Sequence, residues 1–155
     1  LTAGFSQNET EITERAVLPT LPGLTLFGRQ ESLRLTEGQP RTKINLGLDV
    51  DYEPVGLTVR ANRYGEVLIP GVDAARDQVL SEQWVADVEL RARVADAVEL
   101  AVGANNVFDS YPDRVRFGLD GGQNYGLNGY FIPFSQFSPA GFNGRFLYGR
   151  VSVDF

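Results

Sequence analysis

The 155-residue chain contains neither cysteine nor histidine. The first absence excludes disulfides and thiolate metal sites. The second removes the commonest general base and the commonest metal ligand, so catalysis is not expected and no cofactor is called for. A basic surplus is missing too. Lys and Arg number 14 against 20 Asp and Glu, for a net charge of −6, which argues against a nucleic-acid partner. No stretch approaches the roughly 20 apolar residues of a spanning helix, and no basic-then-apolar leader opens the chain. It starts at Leu1 with L-T-A-G-F-S, already alternating. That opening is expected of a C-terminal segment of something longer.

What is present is alternation. The last eleven residues, R-F-L-Y-G-R-V-S-V-D-F, put Leu147, Gly149, Val151, Val153 and Phe155 on one face of a strand. Phe146, Tyr148, Arg150, Ser152 and Asp154 take the other. Chain ends tend to fray, whereas the closing strand of a membrane barrel must pair to its last residues. Similar period-2 segments cover about 1–12, 42–52, 57–68, 84–94 and 98–108. Glu53-Pro54-Val55-Gly56 and Ala95-Asp96-Ala97 read as tight turns. The connections at about 13–41, 69–83 and 109–144 are long. Short turns at one end and long loops at the other, with strands of about 11 residues, match a transmembrane barrel.

Parity carries the argument further. Setting Tyr52 opposite Leu57 places Asp49 across from Arg60 and Lys43 across from Glu66. Setting Val94 opposite Val98 places Arg93 across from Glu99. Such opposite-charge pairs contribute a few tenths of a kcal/mol each, and together they predict one continuous ionic face and one apolar face. A soluble sandwich or lipocalin-like barrel would bury the apolar side. The long strands, asymmetric loops and apolar terminus favour lipid instead, and Tyr52 and Trp84 fall at strand ends, where an aromatic girdle belongs. Arg63, Gln7 and Glu9 lie awkwardly on the lipid-facing parity.

From about Thr42 onward the chain resembles the end of a TonB-dependent outer-membrane receptor. The hairpin K-I-N-L-G-L-D-V-D-Y with L-T-V-R-A-N-R-Y-G-E-V is similar to late hairpins of that family. V-E-L-A-V-G-A-N-N-V-F-D-S-Y-P (Val98 to Pro112) resembles its N-L-F-D-x-x-Y strand end. S-P-A-G-F-N-G-R-F-L-Y-G-R-V-S-V-D-F (Ser138 to Phe155) resembles its closing motif, and Leu24 to Pro40 is similar to one of its loops. Val153 stands where members often carry an aromatic. The resemblance implies an all-β, antiparallel up-and-down transmembrane barrel of about 22 strands with a plugged lumen. Residues 1–155 would supply about six of those strands. It further implies a Gram-negative outer membrane, coupling to TonB through a part outside this chain, and a scarce ligand such as a ferric siderophore, cobalamin, haem or a carbohydrate. Of these the siderophore is the commonest class. A passive porin, or more remotely an outer-membrane barrel enzyme, is the alternative.

Individual residues follow from this frame. Phe155, Val153, Val151 and Leu147 look like the terminal signal read by barrel-assembly machinery, and equally like a lipid-facing strand. Within the glycine- and aromatic-rich loop 118–137, Tyr125, Tyr130 and Phe131 are candidates to cover an extracellular ligand. Packing over the barrel mouth is the blander and favoured reading. The loop's glycines are no phosphate cradle, since no Gly-Lys-Ser/Thr follows. Asp49, Asp51 and Glu53 lack calcium-loop spacing. Arg91, Arg93 and Arg150 are expected to pair with carboxylates, some of them on a plug outside this chain.

Overall fold

A computed structural model describes residues 1–15, 27–116 and 133–154. Six strands form one antiparallel sheet: β1 (Thr2–Gln7), β2 (Thr42–Tyr52), β3 (Val55–Tyr64), β6 (Gln83–Ala95), β7 (Val98–Asn105) and β8 (Phe146–Val153). Their spatial order follows the chain. The interruption is a small two-stranded sheet, β4 (Val67–Ile69) with β5 (Gln78–Leu80), within the β3–β6 connection. One helix, α1 (Arg29–Thr36), lies in the β1–β2 connection. The fold is thus an all-β meander, open at β1 and β8.

All the long connections emerge at one end. The other end carries two-residue turns, Glu53-Pro54 and Asp96-Ala97. The Val, Ile and Leu residues of β2, β3 and β6 favour the pleated surface, and Pro54 stops pairing at the first of the two turns.

The register of the first hairpin differs from the expected one. Tyr52 faces Val55, not Leu57, because the turn uses two residues where four were expected. The slip is two residues, so both faces survive while every pairing moves by one rung. Asp49 therefore faces Thr58 rather than Arg60, Arg60 faces Gly47, and Lys43 faces Tyr64. Glu66 lies beyond the end of β3 and pairs with nothing in the ladder. At the second hairpin Arg93 does face Glu99, with a register shift between Arg93 and Ala95. β1 also ends at Gln7, well short of residue 12, and β3 stops at Tyr64 rather than 68.

Among the described residues, Ala101 of β7 is the only buried apolar residue of the six-stranded sheet. Val67, Ile69 and Leu80 form the buried apolar cluster, and they sit in the β4–β5 excursion. On the sheet, Leu46 is 41% exposed, Val151 67% and Leu147 69%. Among the described residues no element packs across this apolar face. A sheet folded in water would cover such a surface, because burial of apolar area is the main favourable term in folding.

The misfits fall at the long-connection end. Arg63 is the penultimate residue of β3, where it pairs with Glu82 and donates from Nη1 to Thr42 Oγ1 at 3.2 Å. Gln7 closes β1, and Glu9 lies past it. Neither needs a bulge to be accommodated.

Candidate functional site: the ionic face and its rim

The face opposite the apolar one gathers the charged residues of β2, β3, β6, β7 and β8 into cross-strand networks. Arg91 pairs with Asp51 and donates from Nη1 to Thr58 Oγ1 at 2.9 Å. Thr58 in turn donates to Asp49 Oδ1 at 2.8 Å. Glu89 accepts from Tyr148 Oη at 2.9 Å and from Arg150 Nη2 at 3.1 Å. Arg150 also reaches Glu99 at 3.9 Å.

Arg93, despite standing across from Glu99, pairs with Glu53 of the neighbouring turn at 3.6 Å. The register shift between Arg93 and Ala95 lies beside it. Lys43 sits over the Tyr64 ring at 4.9 Å. Arg60 forms no ion pair with a described residue. Arg91, Arg93 and Arg150 thus each pair with at least one carboxylate of this sheet or its turns.

Gly103 has a clear local purpose. It stands across from Tyr148, and a Cβ there would come within 2.3 Å of the tyrosine ring. The missing side chain lets Tyr148 lie flat across β7 and reach Glu89 two strands away.

At the long-connection end the loops knit into a rim. Arg29 of α1 grips Asp77 with two hydrogen bonds of 2.9 and 2.5 Å and donates to Gly71 O at 2.9 Å. Asp77 Oδ1 also accepts from Gly71 N at 2.8 Å. The Arg29 hydrogen bonds hold the Asp77 carboxyl below the ordinary aspartate value, partial burial opposes them, and the Gly71 N–H adds to the lowering. Gln78 exchanges hydrogen bonds with Arg114 O and Arg116 N, at 2.8 and 2.9 Å, tying β5 to the third connection. Arg34 lies over the Phe137 ring at 5.2 Å.

The N-V-F-D-S-Y segment after β7 is a clasp. Asn106, with φ of 49°, donates from Nδ2 to Ser110 O and Asn143 O at 2.8 and 3.0 Å. Its Oδ1 accepts from Ser110 N at 2.9 Å, and its backbone N–H reaches Asp87 Oδ1 at 2.8 Å. Asp109, with φ of 56°, accepts from Arg145 N at 2.7 Å. Both stems of the longest connection are thereby fixed to each other. Sequence reading singled out this motif as a family-like strand end but gave it no task; its Asn and Asp, which tolerate positive φ, carried the available signal.

Below the rim the ionic face holds a hollow of about 690 Å³, lined by Gln83, Asn105, Asn143, Arg145 and Phe146 among others. A second hollow of about 230 Å³ lies between Arg60 and Arg150. The described residues contain no cluster of metal-ligating side chains. Tyr125, Tyr130, Phe131 and Phe155 lie outside the described residues. Leu147, Val151 and Val153 share the exposed apolar face of β8.

Three solved chains share this architecture, all of them mutant forms of the ferric enterobactin receptor of Pseudomonas aeruginosa. Two align at a TM-score of 0.54 and 21% identity, over 78% of this chain and 17% of the receptor. One in complex with enterobactin aligns at 0.52 and 22%, over 76% and 17%. No family model and no curated protein matches the sequence. The likeness establishes the fold. This chain has the architecture of an unclosed piece of a β-barrel wall, and it spans about 17% of those receptors' length.

Proposed function

We propose that the chain is lumen wall of a TonB-coupled outer-membrane receptor that imports a scarce ligand, with a ferric siderophore as the leading class. One observation carries this reading: a sheet whose apolar residues are bare on one face, whose ions are networked on the other, and whose long connections share one end. Lipid supplies the missing cover for the apolar face, and water or a packed lumen suits the ionic one. The solved neighbours are receptors for an iron complex, which supports the choice of ligand class. The protein binds and gates, and makes or breaks no bond. Leu147, Val151 and Val153 serve as lipid-facing closure, and together with Phe155 as the mark read by the assembly machinery.

Uptake tests the reading. A deletion strain of the native bacterium should lose import of one radiolabelled ferric siderophore, and the restored gene should return it only while TonB and the inner-membrane proton gradient are intact. Import that continues without TonB would mean a passive porin. An intact protein that fractionates outside the outer membrane would reject both.

A further inference from the structure

Among the described residues Asn143 is the only asparagine followed by glycine. It lies in the stem between the turn at Gly141 and β8, in backbone that belongs to no strand or helix. Its carbonyl oxygen accepts from Asn106 Nδ2 at 3.0 Å, which makes it one anchor of the clasp. Its side-chain amide has no hydrogen-bond partner among the described residues, and the N–H of Gly144 donates to none of them. An amide carbon and the nitrogen one residue on that can attack it are both unengaged. Asn106 is the contrast: it is buried, its amide is used at both ends, and branched Val107 follows it.

Gly144 is fixed by packing. A Cβ there would collide with Tyr111 Oη and come within 2.9 Å of Asp109 Oδ1, the oxygen that accepts from Arg145 N. The clasp therefore demands the one residue that leaves the attacking nitrogen unshielded by a side chain. Asparagine is among the heat-labile residues, and its side chain readily folds back on its own backbone.

We infer that Asn143 is a site of spontaneous deamidation, and that its isoaspartate product opens the clasp at the base of the longest connection. The Gly144 nitrogen attacks Asn143 Cγ. A C–N bond forms, the Cγ–Nδ2 bond breaks, and Nδ2 leaves as ammonia, carrying the proton that Gly144 N gives up. Water then opens the five-membered imide. Opening at Cγ yields an ordinary aspartate; opening at the original backbone carbon reroutes the chain through Cγ as isoaspartate. In that product the carbonyl that received Asn106 becomes a pendant carboxylate, and the chain to Gly144 gains a methylene. Asn106 Nδ2 and Asp109 Oδ1 hold the chain on either side of the insertion, and their spacing no longer fits it. Neither a ligand nor a partner is required.

The test uses the full-length protein in detergent, kept warm for days in mildly alkaline buffer beside a free peptide of residues 138–150. Chymotrypsin, cutting after Phe142 and Phe146, releases residues 143–146. Mass spectrometry reads the lost amide, and isoaspartyl methyltransferase labels the rerouted product. The folded protein should lose the Asn143 amide at a rate comparable to the peptide, with isoaspartate prevailing. Amide exchange at Ser110 should become about tenfold faster in the aged protein, the equivalent of one lost hydrogen bond. Asn143→Gln closes its larger ring far more slowly and should keep both its mass and its exchange rate. Freshly prepared Asn143→Asp carries the charge on a normal backbone, and Ser110 in it should exchange as in the unaged wild type. Retention of the Asn143 amide in the folded protein overturns the site, whether or not the peptide loses it. Ser110 exchange that stays constant as the wild type ages, or that quickens equally in aged Asn143→Gln, overturns the opening of the clasp.

Discussion

Asp77 carries more of the rim than any other carboxylate, since α1 and the β3–β6 connection meet on it. Its depressed pKa gives a signed expectation. A carboxyl whose folded value lies below its ordinary one, near 3.8, contributes its full share of stability above that ordinary value. The share is lost as pH falls through the lower, folded value. Pepsin cleavage of the 27–41 segment should therefore rise steeply as the medium is taken from about pH 5 to about pH 2. Scaled to cleavage of an unfolded reference peptide at each pH, the wild-type rate should rise as pH falls, whereas the Asp77→Asn rate should stay high and flat. Asp73 and Arg76, paired nearby at 3.7 Å, remain in the variant and serve as its internal control. Asn106 makes a sharper case, because it is buried and both ends of its amide are used. Asn106→Ala should lower the local opening free energy by about 1–3 kcal/mol. Amide exchange at Ser110 should quicken accordingly, while exchange in mid-β6 should not change.

Each strand presents one face to each environment, so the effect of a charge depends on its depth along the strand. Val88 lies mid-way along β6 on the apolar face, flanked by Val59 and Ala104. Val88→Arg should destabilise the folded protein by about 2–4 kcal/mol, the cost of a cation at the bilayer midplane. The readout is a lower urea midpoint in lipid vesicles. Native Arg63, on the same face at the strand end, is tolerated because Glu82 and Thr42 receive it at the rim. The same logic explains what was legible beforehand. The faces of β2, β3, β6, β7 and β8 follow from parity alone, because a period of two is strict. The first hairpin's pairing was not legible, since E-P-V-G accommodates a two-residue or a four-residue turn with the same faces. Hence Asp49 meets Thr58 and Lys43 meets Tyr64, contrary to the charge pairing expected of them. α1 and the β4–β5 hairpin were also missed: each is short and held by contacts distant in sequence, such as Arg29 with Asp77.

Taken whole, the sheet has six strands and two unpaired edges, β1 and β8, with almost no interior of its own. On the proposed reading, its stability comes from strands paired at those edges and from a medium that accepts the apolar face. The two edges differ in a useful way. β1 covers β2 from Gly47 to Thr42 and leaves Leu48 to Tyr52 bare of a partner on that side. On the side away from β7, β8 has no described strand beside it along Phe146–Val153. The chain expressed alone in detergent should therefore self-associate through β8, the longer continuous edge, and to a lesser extent through the uncovered half of β2. Single cysteines introduced at Leu147 or Val151 should cross-link between copies, whereas cysteines at Val59 or Leu90, inside the sheet, should not. Val151→Pro removes an edge donor and makes a poor pairing template, so it should shift the population towards monomer without loss of β-sheet circular dichroism. A chain that stays monomeric with β8 unmodified would mean that the edge is already covered by residues of the same molecule, and that the wall closes on itself.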